Sequence, residues 1–328
     1  MSNAIQTAGS VAPSHEGPRA WLRRFVSGDE VAHIVTLLFA STILAITGLL
    51  VLQLWTNSRL SRVQSGWHFF FMQTWDPVFE HFGALPFLYG TVVTTVVALV
   101  ISVPLGLGAA IYLAELAPRK ISDVLAFLVD LLAAVPSVIY GLLGIFLVIP
   151  LMREVIEPFL KRTMGFLPIF QGPAYGIGLL TGGLVLAIMI VPFIVSISRE
   201  VLLVVPREQR EAAMSLGATR WEATWHVVVP YARGGIFGSI FLAMARALGE
   251  TMAVTMVIGN DPRIAASLFS PGYTIAAVIA NEFSEATYPL YINALVELGL
   301  VLFLLTFVLN GLARLLILAT EQRGVAHS

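Results

Sequence analysis

Cysteine is missing altogether from these 328 residues. That removes disulfide frameworks, thiolate nucleophiles and Cys-ligated metal sites in one step. Charge is scarce as well: Asp, Glu, Lys and Arg make up 12% of the chain, about half the share in a typical soluble domain. The lysines are Lys120 and Lys161 alone, and neither lies in a G-x-x-x-x-G-K-[ST] context, so there is no ATP-binding phosphate loop. A net charge of −1, with no basic stripe interleaved with aromatics, gives no footprint for nucleic acid. No Ser/His/Asp, paired-carboxylate or HExxH arrangement appears, and His33, His68, His81 and His226 lack metal-ligand spacing. Neither an enzyme active site, nor a cofactor, nor a metal is expected. The opening stretch, MSNAIQTAGSVAPSHEGP, has no apolar core of the kind a cleavable signal peptide carries. Residues 1–30 are therefore expected to form a disordered tail.

What the chain has in plenty is apolar side chain, at 57% and a mean hydropathy of +0.85. About 20 apolar residues carry a helix across hydrocarbon. Six segments qualify, at 34–55, 87–113, 124–151, 174–198, 232–258 and 289–317. The expected fold class is an all-α integral membrane protein: a six-span domain over 31–320, with a polar loop at 200–231 and a tail at 321–328. An even number of spans puts both termini on one side. Counting Arg and Lys near span ends gives twelve on the side of the termini against six on the other, which predicts cytoplasmic termini. Trp55, Trp67 and Trp75 in the first outer loop read as an interfacial belt.

Several spans carry breakers: Pro104 in the second, Pro136 with Gly141 and Gly144 in the third, Pro192 in the fourth. Kinked packing explains them, and so does a water-lined path, because freed carbonyls at that depth must face protein or a cavity. Gly178/Gly182 and Gly234/Gly238 have the spacing of close helix contacts.

The most specific stretch is PREQREAAMSLGATRWEATWHVVVP, from Pro206 to Pro230. Pro206 suits the first turn of a helix, and Glu208 and Glu211 sit early in it, where the helix dipole favours acids. Gly217 has the place of a C′ residue, and Thr219 with Glu222 makes a capping box for a second helix. A helix, a glycine turn and another helix are predicted. Ala212, Ala213 and Ala218 allow close entry into a partner's groove; an amphipathic helix resting on the bilayer is the alternative.

Glu211-Ala212-Ala213, then Gly217, then Val227-x-Val229-Pro230 resembles the EAA loop of binding-protein-dependent ABC importer permeases. That resemblance implies a MetI-like permease fold whose loop docks on a nucleotide-binding subunit, with Glu211, Ala212, Ala213, Gly217 and Pro230 as its coupling residues. Val227 and Val229 stand where the family usually has Ile and Leu. WDP at 75–77, FGALPFLYGT at 82–91, VPLGLGAAIYLAE at 103–115, LLAAVPSVIYG at 131–141 and ARALGETMAV at 245–254 are similar to the phosphate permeases of the Pst system, C-type. This likeness spans roughly residues 30–317. It implies an inner-membrane importer of inorganic phosphate. The implied partners are a second, PstA-type permease, two PstB-type ATP-binding subunits and an extracytoplasmic PstS-type phosphate-binding protein. Another oxyanion, molybdate or sulfate, would suit the same machine, and an ion-coupled secondary transporter is the alternative of a different class.

Arg246 lies inside the fifth span and Glu250 one turn on, which on a continuous helix shares a face. The pair either ties two helices together or meets the solute, since a guanidinium offers a planar fork of donors to a tetrahedral oxyanion. The resemblance matches both to charged positions needed for transport. Ser137, Thr251 and Thr255 are further candidates for the path. Asp130, where the family commonly has Glu, is a candidate partner for Arg246, and Glu297 is an unassigned acid in the sixth span.

Overall fold

In hydrocarbon every backbone N–H and C=O must be satisfied within the chain, so a sequence this apolar has helices as its available solution. A computed structural model describes residues 29–325, with side chains described over 31–315. Most of the expected N-terminal tail, and residues 326–328 of the expected C-terminal one, lie outside that range. Six helices among the described residues are long and apolar enough to cross a membrane.

In chain order the elements are α1 (Asp29–Asn57), α2 (Arg59–Ser65), α3 (Leu85–Leu116), α4 (Arg119–Ala133), α5 (Ser137–Met164), α6 (Leu179–Leu203), α7 (Arg207–Ser215), α8 (Arg220–Leu248), α9 (Met252–Ile258), α10 (Ile275–Glu282) and α11 (Pro289–Val325). The final helix runs unbroken to Val325, so most of the tail expected at 321–328 is helical.

Up to Gln53, α1 forms a unit of its own. It is apolar all round, as suits a helix facing lipid. The hydroxyls of Thr36, Thr42 and Thr47 donate to the carbonyls of Ala32, Leu38 and Ile43 at 2.7–2.9 Å, so these three hydroxyls are satisfied within the helix.

The second unit begins at Leu54. At its centre is α6, with 61% of its most apolar window buried, and α3 is its principal neighbour. A side chain on Gly106 would meet Ile194 at 2.7 Å, and one on Gly183 would meet Val97 at 2.5 Å, so these two glycines set how near the helices lie. Of the two spacing pairs expected to do this, Gly182 has only ordinary contacts and Gly238 faces open space, while a side chain on Gly178 would sit 2.5 Å from the Phe269 carbonyl oxygen, a close approach to a loop and not to a helix.

Gly90 is more constrained. A Cβ there would sit 2.2 Å from the backbone carbonyl oxygen of Tyr273, which cannot swing aside. Gly90→Ala is expected to destabilise the protein by about 1–3 kcal/mol through overpacking. The check is a lowered thermal midpoint in detergent; an unchanged midpoint would contradict this geometry.

Two expected spans are cut. Residues 124–151 do not form one helix: α4 ends at Ala133, and Pro136 precedes α5 with φ −58° and ψ 139°. The cause is local, because a residue before proline is pushed out of the helical region. The Tyr140 hydroxyl spans the gap, donating to the Leu132 carbonyl at 2.7 Å. Residues 232–258 are likewise split, with α8 ending at Leu248 and α9 starting at Met252. Pro104 and Pro192, by contrast, lie inside continuous helices. The helices that follow the two breaks pack together, since a side chain on Gly141 near the start of α5 would sit 3.3 Å from the Cα of Ala253 in α9.

Candidate functional site

The break at residues 249–251 carries the charges singled out in the sequence, and it changes their relation. Arg246 is in the last turn of α8, and Glu250 follows the helix end. The shared-face reading therefore fails, and no ion pair joins the two. Glu250 instead caps α9: its Oε1 accepts the Ala253 backbone N–H at 3.2 Å, satisfying one of the donors a helix start leaves orphaned. The Arg246 guanidinium lies 5.3 Å from the ring centre of Phe193 on α6, a cation–π contact. Among the described residues it has no carboxylate within ion-pair distance.

Asp130 does not pair with Arg246 either. Its Oδ1 accepts the Ser196 hydroxyl at 2.7 Å, fastening α4 to α6. Phe193 and Ser196 lie one turn apart, so Arg246 and Asp130 flank the same stretch of α6. Ser137 opens α5 just beyond its break and is partly exposed. Thr251 stands in the other break, its hydroxyl 3.4 Å from the Gly249 carbonyl, and Thr255 bonds back to Thr251 at 2.8 Å. The breaks thus place Arg246, Glu250, Ser137 and Thr251 where helical backbone is interrupted. A single guanidinium there has free donors. Glu297 is elsewhere, buried in α11.

The polar loop forms as its sequence predicts. α7 ends in a Schellman turn: Gly217, at φ +94°, donates to Met214 and Ala218 donates to Ala213, at 3.0 and 3.2 Å. In the capping box, Thr219 N–H donates to Glu222 at 2.8 Å and Glu222 N–H donates to Thr219 Oγ1 at 3.3 Å. Pro206 is the residue before α7 rather than within its first turn. The second loop helix does not stop: it continues through a wider turn at Thr224–Val228 and past Pro230 into the fifth span. Glu211 and Ala212 are exposed, and Leu216 is 90% exposed.

Sequence reading missed the anchor of this loop. Arg210 of α7 grips Glu115 at the end of α3, with Nη2–Oε1 at 2.6 Å and Nε within 3.2 Å of both carboxylate oxygens. The same guanidinium donates to the Leu202 carbonyl at 2.9 Å and to that of Val205, adding a charged donor where the chain leaves α6, beside the Val205 N–H that Leu202 also accepts at 3.3 Å. Both residues stand in motifs quoted above, but nothing local reveals their pairing. Trp75 was misread outright. It is 9% exposed, stacked edge-on against Phe82 and Phe87 with ring centres 4.9 Å away, and its N–H donates to Glu282 at 2.8 Å. Tyr291 donates to the same oxygen at 2.7 Å. Nearby, burial pushes the Tyr273 phenol up to about 12. This knot is structural. Trp55 and Trp67 are exposed, as a belt requires.

Residues 102–321 match a family described as the binding-protein-dependent transport system inner membrane component. The phosphate transport system permease protein PstC of Mesorhizobium japonicum is 45% identical over 308 residues, which cover 93% of this chain and 94% of that protein. PstC of Xylella fastidiosa is 45% identical over 294 residues, covering 88% and 90%. Among solved structures, the inward-facing MetNI methionine ABC transporter aligns with a TM-score of 0.52 at 17% identity, over 71% of this chain and 94% of that one. That last likeness speaks to the fold alone.

Proposed function

The chain belongs to the PstC family of phosphate transport system permeases, within the binding-protein-dependent inner-membrane transport components, and from that premise we propose that it is the permease subunit of an ATP-driven importer of inorganic phosphate. It is a multi-pass inner-membrane protein with six apolar spans. One observation carries the solute site. Arg246 is a guanidinium at a helix break that has an aromatic ring beside it and no carboxylate partner among the described residues. A positive charge within a membrane span is costly, and an oxyanion in transit would offset that cost. The planar fork matches two oxygens of a tetrahedral anion. Glu250, with one oxygen held by α9, has a second oxygen to accept the P–OH proton of monoprotonated phosphate, a hydrogen bond sulfate cannot offer.

The engine lies elsewhere, because the chain has no phosphate loop. Separate PstB-type ATPase subunits would dock on α7 and the Gly217 turn, whose exposed Leu216 and Glu211 face outward from the protein. That requires the loop to be cytoplasmic, as the twelve-to-six excess of Arg and Lys favours, with both termini on the same side. A PstA-type permease would complete the path, and a PstS-type protein would deliver phosphate from outside. Alternating access then follows from ATPase closure moving α7, and with it α3 and α6.

Proteoliposomes decide it. The chain reconstituted with its permease and ATPase partners and the phosphate-binding protein is expected to take up phosphate only with ATP, with hydrolysis stimulated by phosphate. Uptake by the chain alone, driven by an ion gradient, would overturn the reading.

A further inference from the structure

Arginine is a long side chain with five N–H donors and large rotamer entropy, and inside a span such a cation is almost always held by a carboxylate or a backbone carbonyl. Arg246 is held by neither. Among the described residues its guanidinium has no acceptor within hydrogen-bond distance, and what stands against it is the Phe193 ring, with 5.3 Å from guanidinium carbon to ring centre. A phenyl ring attracts the charge through its π face and carries no acceptor atom, so all five donors stay unspent. A carboxylate in the same place would have neutralised the cation and occupied its fork.

The ring itself is well fixed. Phe193 follows Pro192 inside continuous α6 and packs on the buried cluster that contains Ile190, Ile194 and Ala247. α3 closes on the next residue, since a side chain on Gly106 would meet Ile194 at 2.7 Å, and Asp130 accepts from Ser196 one turn on, also at 2.7 Å. Arg246, by contrast, sits in the last turn of α8 beside a helix break. The central helix thus supplies a fixed reference for a side chain that the backbone alone would leave loose.

From this we infer that Phe193 is a positioning residue for transport: its ring orders the Arg246 guanidinium and leaves the donor fork free for the oxyanion. The inference rests on the proposed role of Arg246 as the solute contact. Without the ring, the solute would have to order the side chain itself in every cycle, and that entropy would be subtracted from its binding. Phe193 acts through Arg246 and touches no solute. The expected loss is set by the strength of one cation–π contact, which corresponds to roughly two- to fivefold in rate or affinity.

The test separates the ring's charge attraction from its shape. In the reconstituted transporter complex, phenylalanines bearing one, two or three ring fluorines are installed at position 193 by nonsense suppression. Fluorine drains the negative π face while nearly preserving the size of the ring. Phosphate uptake is expected to fall stepwise with each fluorine, reaching a deficit of roughly two- to fivefold, while the thermal midpoint stays constant across the series. Phe193→Leu should show the full deficit, and Phe193→Tyr, which keeps the face, should transport like the parent. A flat series overturns the proposal even if Phe193→Leu is impaired, because the ring would then serve by shape alone. So does a midpoint that falls in step with uptake, since the contact would then hold the fold and not the fork. Arg246→Gln is measured alongside. If it is silent while the fluorine series is flat, the positioning role alone fails; if it transports normally, the solute contact fails and takes this inference with it.

Discussion

Arg246→Gln is expected to abolish phosphate uptake while leaving the protein folded. The two halves of that expectation come from the same observation. Because Arg246 has no ion pair among the described residues, removing its charge strands no buried carboxylate. The structural loss is the contact with Phe193, worth about 0.5–1 kcal/mol. The functional loss is two charge-assisted hydrogen bonds to the oxyanion, together about 3 kcal/mol or more, which is roughly a hundredfold in rate or affinity. Arg246→Lys separates charge from geometry. Lysine keeps the positive point charge and loses the fork, so an intermediate deficit of roughly tenfold is expected. Radiolabelled uptake in proteoliposomes measures both, with thermal midpoint as the control for folding. If Arg246→Gln transported normally, or if it lost its fold as well as its transport, the guanidinium would be a structural cation and not a solute contact. In the same assay Glu250→Gln is expected to narrow the preference for phosphate over sulfate.

How far the sequence reaches differs from one feature to the next. The capping box at Thr219 and Glu222 and the glycine turn at Gly217 were readable because each is closed by residues within one turn of chain. The spans at 34–55, 87–113 and 289–317 fall inside observed helices because hydropathy sums over many residues. The breaks at 134–136 and 249–251 did not register in that sum. Val135, Leu248 and their neighbours are as apolar as any helix interior, and a window average is blind to one proline or one glycine. Pro136 carried the signal for the first break. The second depended on Gly249 ending α8 and on Glu250 being able to start α9, and the same letters fit an Arg–Glu pair on a continuous helix. What no local pattern holds is pairing at distance. Trp75 meets Glu282 across 207 residues and Arg210 meets Glu115 across 95, so a tryptophan in a loop was read as belt and an arginine in a loop as topology signal.

The Arg210–Glu115 contact yields the other large expectation, that Arg210→Ala uncouples hydrolysis from transport. Glu115 is nearly enclosed, its side chain 9% exposed against 18% for Arg210. Deleting the guanidinium leaves a desolvated carboxylate and removes the donor from the Leu202 and Val205 carbonyls. Breaking a buried pair on one side costs about 3–5 kcal/mol. Some of that will appear as a lower thermal midpoint. The rest is mechanical: α7 would keep its helix and its exposed face, so an ATPase subunit could still dock, but its motion would no longer be handed to α3 and α6. Hydrolysis should then continue with phosphate uptake reduced roughly tenfold or more per ATP. Glu115→Gln should be milder, because an amide oxygen still accepts from Arg210, at a cost of about 1–2 kcal/mol. The charge exchange Glu115→Arg/Arg210→Glu is the discriminating variant. It restores opposite charges but turns a carboxylate toward two carbonyl oxygens at the end of α6, where the helix dipole is already negative. It is therefore expected to fail. A rescued ratio of uptake to hydrolysis in that variant would mean that charge attraction alone joins loop to spans, and the role assigned to the α6 carbonyls would have to be abandoned.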